Sequence, residues 1–329
     1  IFLLWIGGEL IMKQQLTIGD FVALTVYIGL LSWPTASLAW IINILQRGKV
    51  SWERISSILN EPTDFYVDYL NTTQCVSVDD LVAPKLKLSH LSFRYEGSQP
   101  YVLQDISFDI EPGQCLGIFG PSGSGKSTLA RILAGLESVE KQTFFINNRC
   151  FMDWDIMAFR QLISYVQQTP FLFSVPISEN IDFSQDHHRM DQLKVYTDMA
   201  AVTKDIYSFK DNYDTLIGER GVVLSGGQKS RLALARALFK PHRLLILDDV
   251  LSAVDHETEQ MINQRFLEDA SERTTVVISH RISALTQCDH ILVLDKGRII
   301  DQGKHVDLIQ RDGIYKFSWD YQNMSLAND

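Results

Sequence analysis

The chain has 329 residues, 30 Lys and Arg against 40 Asp and Glu, and a formal net charge of -10. That length suits about two domains, and the acidic balance excludes a nucleic-acid binder held by phosphate contacts. Hydrophobic residues make up 46% and charged residues 21%, which excludes a disordered chain.

Charge is spread unevenly. Residues 1–46 carry only three charges, Glu9, Lys13 and Asp20, and residues 21–46 carry none. A helix over that charge-free run is about 39 Å long, against a bilayer core of about 30 Å. Twelve of its residues are Leu, Ile, Val or Phe. Pro34 would break a soluble helix, but neighbours in a bundle can satisfy the carbonyl it frees. A buried core helix is the competing reading, and soluble helices rarely run this long without charge. A signal peptide fits poorly, because the apolar run is too long and the first residue is Ile1.

Ile1–Met12 is apolar but too short to span, and reads as the tail of an earlier span joined through Lys13–Asp20. Arg47, Lys49 and Arg54 follow the long run, and such an excess marks the cytoplasmic side. The expected setting is the cell (inner) membrane, multi-pass, in contact with lipid and with the remainder of the chain in the cytoplasm. Glu61–Pro84 carries Asp64, Asp68, Asp79 and Asp80 with no Lys or Arg, and reads as an acidic linker. The expected organisation is a membrane part over 1–60, a linker over 61–85, a soluble domain over 86–322 and a tail over 323–329.

In the soluble part, short apolar runs stop abruptly at polar or glycine residues: Cys115–Phe119 at Gly120, Ile163–Val166 at Gln167 and Gln168, Leu244–Leu247 at Asp248 and Asp249, Thr274–Ser279 at His280. Such runs fit strands buried on both faces of a parallel sheet. With helical stretches at Lys126–Leu136 and Gln228–Phe239 between them, the fold class is α/β, and ligands sit beyond the carboxyl ends of the strands. Ile291–Leu294 and Arg298–Asp301, joined at Lys296-Gly297, predict a hairpin at the sheet periphery. Cys75, Cys115, Cys150 and Cys288 stand far apart in sequence with no CxxC pair, and read as reduced thiols.

Gly120-Pro121-Ser122-Gly123-Ser124-Gly125-Lys126-Ser127 follows a strand and opens a helix, the context a P-loop requires. Its glycines let backbone N–H groups approach phosphate oxygens, Lys126 would reach the β- and γ-phosphates, and Ser127 would hold Mg²⁺. Thr128 completes the nucleotide-side set. Leu224-Ser225-Gly226-Gly227-Gln228 is a second glycine motif, with Ser225 and Gln228 spaced as a capping box at a helix start. One chain thus carries two phosphate-seeking helix starts. One ATP rarely needs both from one protomer, so the economical reading is a dimer that shares each ATP between the P-loop of one chain and Ser225–Gln228 of the other.

The P-loop, the LSGGQ about a hundred residues later and the LLILDD that follows together resemble the ABC transporter ATPase domain, a P-loop NTPase fold with peripheral antiparallel β elements and a helical subdomain. The membrane part resembles the end of an exporter-type transmembrane domain, and Ile217–Gly221 resembles the loop typical of exporters. The resemblance implies ATP and Mg²⁺ as cofactors and ATP hydrolysis coupled to export. It places Tyr95 on the adenine, Gln168 (with Gln167 as the alternative register) as the sensor of Mg²⁺ and γ-phosphate, and Asp248 as the Walker B carboxylate. It places Asp255 in the loop crossing the dimer interface and His280 as the switch histidine.

Two departures stand out. The family's usual catalytic glutamate is here Asp249, one methylene shorter; a misplacement of about 1 Å can cost roughly 10²-fold in rate. The LSGGQ is intact. The chain therefore resembles the degenerate-site subunit of bacterial heterodimeric multidrug exporters, and its expected partners are a second, different half-transporter and further upstream transmembrane helices. A homodimer, a soluble ABC ATPase outside transport, and a non-productive fragment are the competing readings. The second departure is Glu140–Arg149, which lacks the family's glycines, so the turn there should differ. His187 and His188 read as solvated rather than as metal ligands.

Overall fold

The computed structural model describes residues 2–60, 82–95, 97, 100–183, 190–218, 224–253, 258–259, 261–262 and 272–326. The chain divides into two compact units, Ile1–Asp68 and Tyr69–Asp329.

The first unit holds helices α1 (Phe2–Met12) and α2 (Ile18–Leu59). Thr17 caps α2, its hydroxyl oxygen accepting from the Asp20 N–H at 3.2 Å. The two helices touch where Gly7 meets the Phe21 ring: a Cβ on Gly7 would lie 2.2 Å from Phe21 Cε2. Small residues at such a contact let helix backbones approach. At 42 residues α2 outruns the charge-free stretch at both ends, and none of its residues is buried. Its polar side chains turn back on their own helix: Thr25 donates to the Phe21 carbonyl at 2.8 Å, Thr35 to Leu31 at 2.7 Å and Asn43 to Ala39 at 3.1 Å. This satisfies them where a hydrocarbon surrounding cannot.

The second unit contains two sheets. β1 (Leu86–Phe93), β2 (Leu103–Ile110), β4 (Phe144–Ile146) and β5 (Arg149–Cys150) form an antiparallel sheet in the order β2-β1-β4-β5. β3 (Cys115–Phe119), β6 (Ile163–Val166), β7 (Leu244–Asp248), β8 (Thr274–Ile278), β9 (His290–Asp295) and β10 (Arg298–Gly303) form the second, in the order β10-β9-β3-β8-β7-β6. All its pairings are parallel except β9 with β10. Every residue of β7 is buried, as the unbroken apolar run requires. The predicted peripheral hairpin is half right. β10 is the edge, but β9 is interior and pairs in parallel with β3, because Ile291–Leu294 is buried throughout.

Between β6 and β7 lie the helices α5 (Ile177–Ile181), α6 (Met190–Met199), α7 (Thr203–Ser208) and α8 (Gly226–Phe239), which share one core. α3 (Lys126–Leu133) follows β3, α4 (Ile156–Leu162) precedes β6, and α9 (His305–Leu308) and α10 (Ile314–Leu326) close the described chain. The altered turn at Glu140–Arg149 is a tight two-residue hairpin joining β4 to β5. Asn147 and Asn148 take φ of 51° and 63°, a left-handed pair that asparagine tolerates in place of glycine.

Candidate functional site

The P-loop runs from the end of β3 into α3. Gly123 and Gly125 adopt φ of 78° and 101°, and a Cβ on Gly120 would lie 2.2 Å from the Leu294 carbonyl oxygen. The β9–β10 turn supports the loop from below, the Gly297 N–H donating to the Ser124 carbonyl at 3.0 Å. Gly125 is the N-cap of α3 and supplies no side-chain cap, so the helix start presents its N–H groups to a ligand. Lys126 Nζ donates to the carbonyls of Gly120 at 2.7 Å and Pro121 at 2.8 Å. Burial lowers its pKa, against the pull of Asp249 and Asp248.

Beside Lys126, Ser127 Oγ donates to Asp248 Oδ1 at 3.2 Å, and Tyr165 Oη donates to Asp248 Oδ2 at 3.4 Å. Asp248 is buried at the end of β7, and burial raises its pKa. Asp249 follows with a φ of 52°, and its side chain turns to His280 and Gln168. His280 Nδ1 lies 2.9 Å from both carboxylate oxygens, and Gln168 Nε2 donates to Oδ2 at 3.2 Å. The hydrogen bond that His280 makes to the Asp249 carboxylate raises the His280 pKa. A cleft of about 360 Å³ is lined by the P-loop together with Gln168, Asp248, Asp249 and His280. Gln168 thus belongs to this site, and the neighbouring Gln167 lines a separate groove on β6.

Tyr95 stands at the α3 side, its hydroxyl 3.2 Å from Thr128 Oγ1 and its ring edge-on to Phe93 at 5.1 Å. The second glycine motif forms the expected start of α8. Gln228 N–H donates to Ser225 Oγ at 3.2 Å, and Ser225 N–H donates to Gln228 Oε1 at 2.9 Å. None of Ser225, Gly226, Gly227 and Gln228 lines the cleft. Asp255, Glu219–Gly221, His187 and His188 lie outside the described residues.

Several residues that serve this site were not singled out in the sequence. Gln322 on α10 grips the backbone on both sides of Arg281: its Nε2 donates to the His280 carbonyl at 2.9 Å, and its Oε1 accepts from Ile282 N–H at 2.9 Å. Arg281 donates to the buried Glu259 at 3.1 Å and to the Ser252 carbonyl at 2.8 Å. Asp205 on α7 accepts from Gln228 at 2.9 Å and from Arg231 at 2.8 Å, bracing the α8 start.

Comparison with known proteins agrees with this geometry. Residues 103–252 match the protein family described as ABC transporter. The chain is 37% identical over 320 residues to the multidrug resistance-like ATP-binding protein MdlA of Buchnera aphidicola, covering 97% of this chain and 54% of that protein. It is 35% identical to MdlA of Escherichia coli, covering 99% of this chain and 55% of that protein. It is 33% identical to the leukotoxin export ATP-binding protein LtxB of Aggregatibacter actinomycetemcomitans, covering 95% of this chain and 44% of that protein. The chain thus spans about half the length of the curated relatives it matches. Among solved structures, a bacterial Atm1-family ABC exporter with ATP bound superposes with a TM-score of 0.77 at 32% identity, covering 93% of this chain and 53% of that chain. The sheet-bearing unit of this chain therefore has the P-loop NTPase fold of the ABC transporter ATPase domain and is similar to that of an exporter.

Proposed function

We propose that the chain is the ATP-binding and ATP-hydrolysing part of an ABC exporter in the cell (inner) membrane, with its ATPase domain in the cytoplasm. It works in a head-to-tail dimer and is the subunit whose own site turns over slowly. The observation that carries this reading is the pairing of a sound Ser225–Gln228 helix start with an aspartate, Asp249, where the family has glutamate. The names of the multidrug resistance-like relatives support export of a drug-like or lipophilic compound over a toxin of the kind named for LtxB, and the charge-free helix α2 argues against a soluble ATPase outside transport.

Backbone N–H groups of the P-loop and Lys126 bind the triphosphate. The hydroxyl of Ser127 and the carboxylate of Asp248 lie 3.2 Å apart, and two hard oxygen donors at that spacing, with the Gln168 amide nearby, fit Mg²⁺. When bound, the ion neutralises charge developing on the phosphates. Asp249 would orient the attacking water and accept its proton, and His280 and Gln168 hold the Asp249 carboxylate in place. Because that carboxylate is a methylene short and already engaged by both neighbours, it meets the water poorly.

The test is turnover of the purified transporter, this chain together with its partner. Asp249→Glu should raise the ATPase rate of this chain's site by roughly 10²-fold. If Asp249→Glu leaves the rate untouched and Asp249→Ala abolishes it, Asp249 is an adequate base. The homodimer with two equal sites is then the better reading.

A further inference from the structure

Two cysteines 173 positions apart in sequence meet at the end of the sheet opposite the nucleotide cleft: Cys115 Sγ lies 3.2 Å from Cys288 Sγ. Cys115 opens β3, the strand that runs into the P-loop, and Cys288 ends the segment that begins at His280 and leads into β9. The backbone locks the pair in register, because Asp289 N–H donates to the Cys115 carbonyl at 2.9 Å and Asp289 Oδ2 accepts from Cys115 N–H at 2.8 Å. Gly117 makes the room: a Cβ there would stand 3.3 Å from Cys288 Sγ. Cys288 is buried, and Cys115 is half-buried and the more accessible of the two.

We propose that Cys115 and Cys288 are a reversible oxidation site, in which a hydroperoxide converts the two thiols to an intramolecular disulfide. The accessible Cys115 sulfur attacks the peroxide; the O–O bond breaks, Cys115 becomes a sulfenic acid and one water (or alcohol) leaves. The Cys288 sulfur then attacks the Cys115 sulfur. The S–O bond breaks, the S–S bond forms, and the Cys288 proton departs with the hydroxyl as a second water. The two thiols together lose two electrons, which reduce the peroxide. Cys288 is an inefficient first target because its hydrogen bond with Cys115, and then burial, hold its thiol well above the ordinary cysteine range. It is well placed as the resolving thiol because its sulfur already touches its target. A reducing cytoplasm keeps such a bond transient. Once formed, it would tie the start of β3 to the segment that leaves His280.

The test uses the full chain in detergent with Cys75→Ser and Cys150→Ser, which leaves these two thiols. After hydrogen peroxide and alkylation under denaturing conditions, we expect a monomer lighter by two hydrogen atoms with neither thiol alkylated, and recovery of both thiols after dithiothreitol. In that background Cys288→Ala should instead leave a Cys115 sulfenic acid that a dimedone-type probe traps. Full alkylation of both thiols after oxidant, a disulfide-linked dimer, or oxygen added to Cys115 while Cys288 stays free would each overturn the proposal. The readout is covalent, so its outcome is independent of the transport reading above.

Discussion

The molecule has two glycine-rich helix starts, and they are built oppositely. At α3 the N-cap is Gly125 in the left-handed region with no side-chain cap, and a lysine follows it. At α8 the N-cap is Ser225, and the reciprocal bonds with Gln228 already take up two of the helix-start donors. What remains there are the N–H groups of Gly226 and Gly227, and a Cβ on Gly226 would meet only open space. The first start offers uncapped backbone donors with a cationic side chain beside them. The second is a rigid, half-satisfied edge facing outward, suited to touching a phosphate that something else holds. Identical motif logic in sequence, a glycine run before a helix, thus conceals two differently built starts, one open to an anion and one already capped.

The sharpest way to break that contrast is Lys126→Ala. Losing hydrogen bonds from a charged donor costs about 1.5–3 kcal/mol, so the Kd for ATP should rise roughly ten- to hundred-fold, as measured by titrating the full chain with a fluorescent nucleotide. An unchanged Kd would remove the α3 start from the binder role. Ser225→Ala should lower stability by about 1 kcal/mol through the lost cap, visible in a urea midpoint, while this chain's own ATP affinity stays the same. A Kd that rises as it does for Lys126→Ala would mean that both starts serve one site in one chain.

Gln322→Ala sharpens the description of the cleft itself. Losing two neutral hydrogen bonds beside His280 costs about 1 kcal/mol. Its signature is a lower kcat at saturating ATP with KM little altered, because no P-loop contact changes; an equal rise in KM would point to a general loosening instead. The smallest effect is one of pH. The folded-state pKa of His280 is raised above 6.5 by Asp249, so the charged pair is fully present below the unfolded value and fades as pH rises through the folded one. In a histidine NMR titration, Asp249→Asn should move the His280 pKa down; no movement would deny the pair.

The parallel core was legible in the sequence because its strands are short, apolar on both faces and end at chemistry-bearing residues. Cys115–Phe119, Ile163–Val166 and Leu244–Asp248 all sit where those runs predicted. The antiparallel sheet of β1, β2, β4 and β5 was expected only through the family resemblance, although Leu86–Phe93 and Leu103–Ile110 alternate buried and exposed positions, the pattern of half-buried strands. The central place of β9 was missed because a Lys296-Gly297 hairpin signal says that two strands pair, not what else they pair with. In the cleft, Lys126 and Ser127 declared themselves by the spacing of the P-loop motif, and Asp248 through the family resemblance. Gln322, Arg281 and Asp205 did not, because they act through contacts that only folding brings together. The thiol pair is the same lesson: two cysteines far apart in sequence become neighbours through parallel register.

The backbone at Asp249 carries a consequence of its own. Its φ of 52° lies in the left-handed region, which aspartate and asparagine enter more readily than other side chains that bear a Cβ. A glutamate at this position has no such ease, so the Asp249→Glu variant that fires faster should also melt lower, an activity–stability trade-off confined to one methylene. Under the proposed pairing with a competent mate, this protomer would gain nothing from that exchange and would keep the side chain its main chain favours.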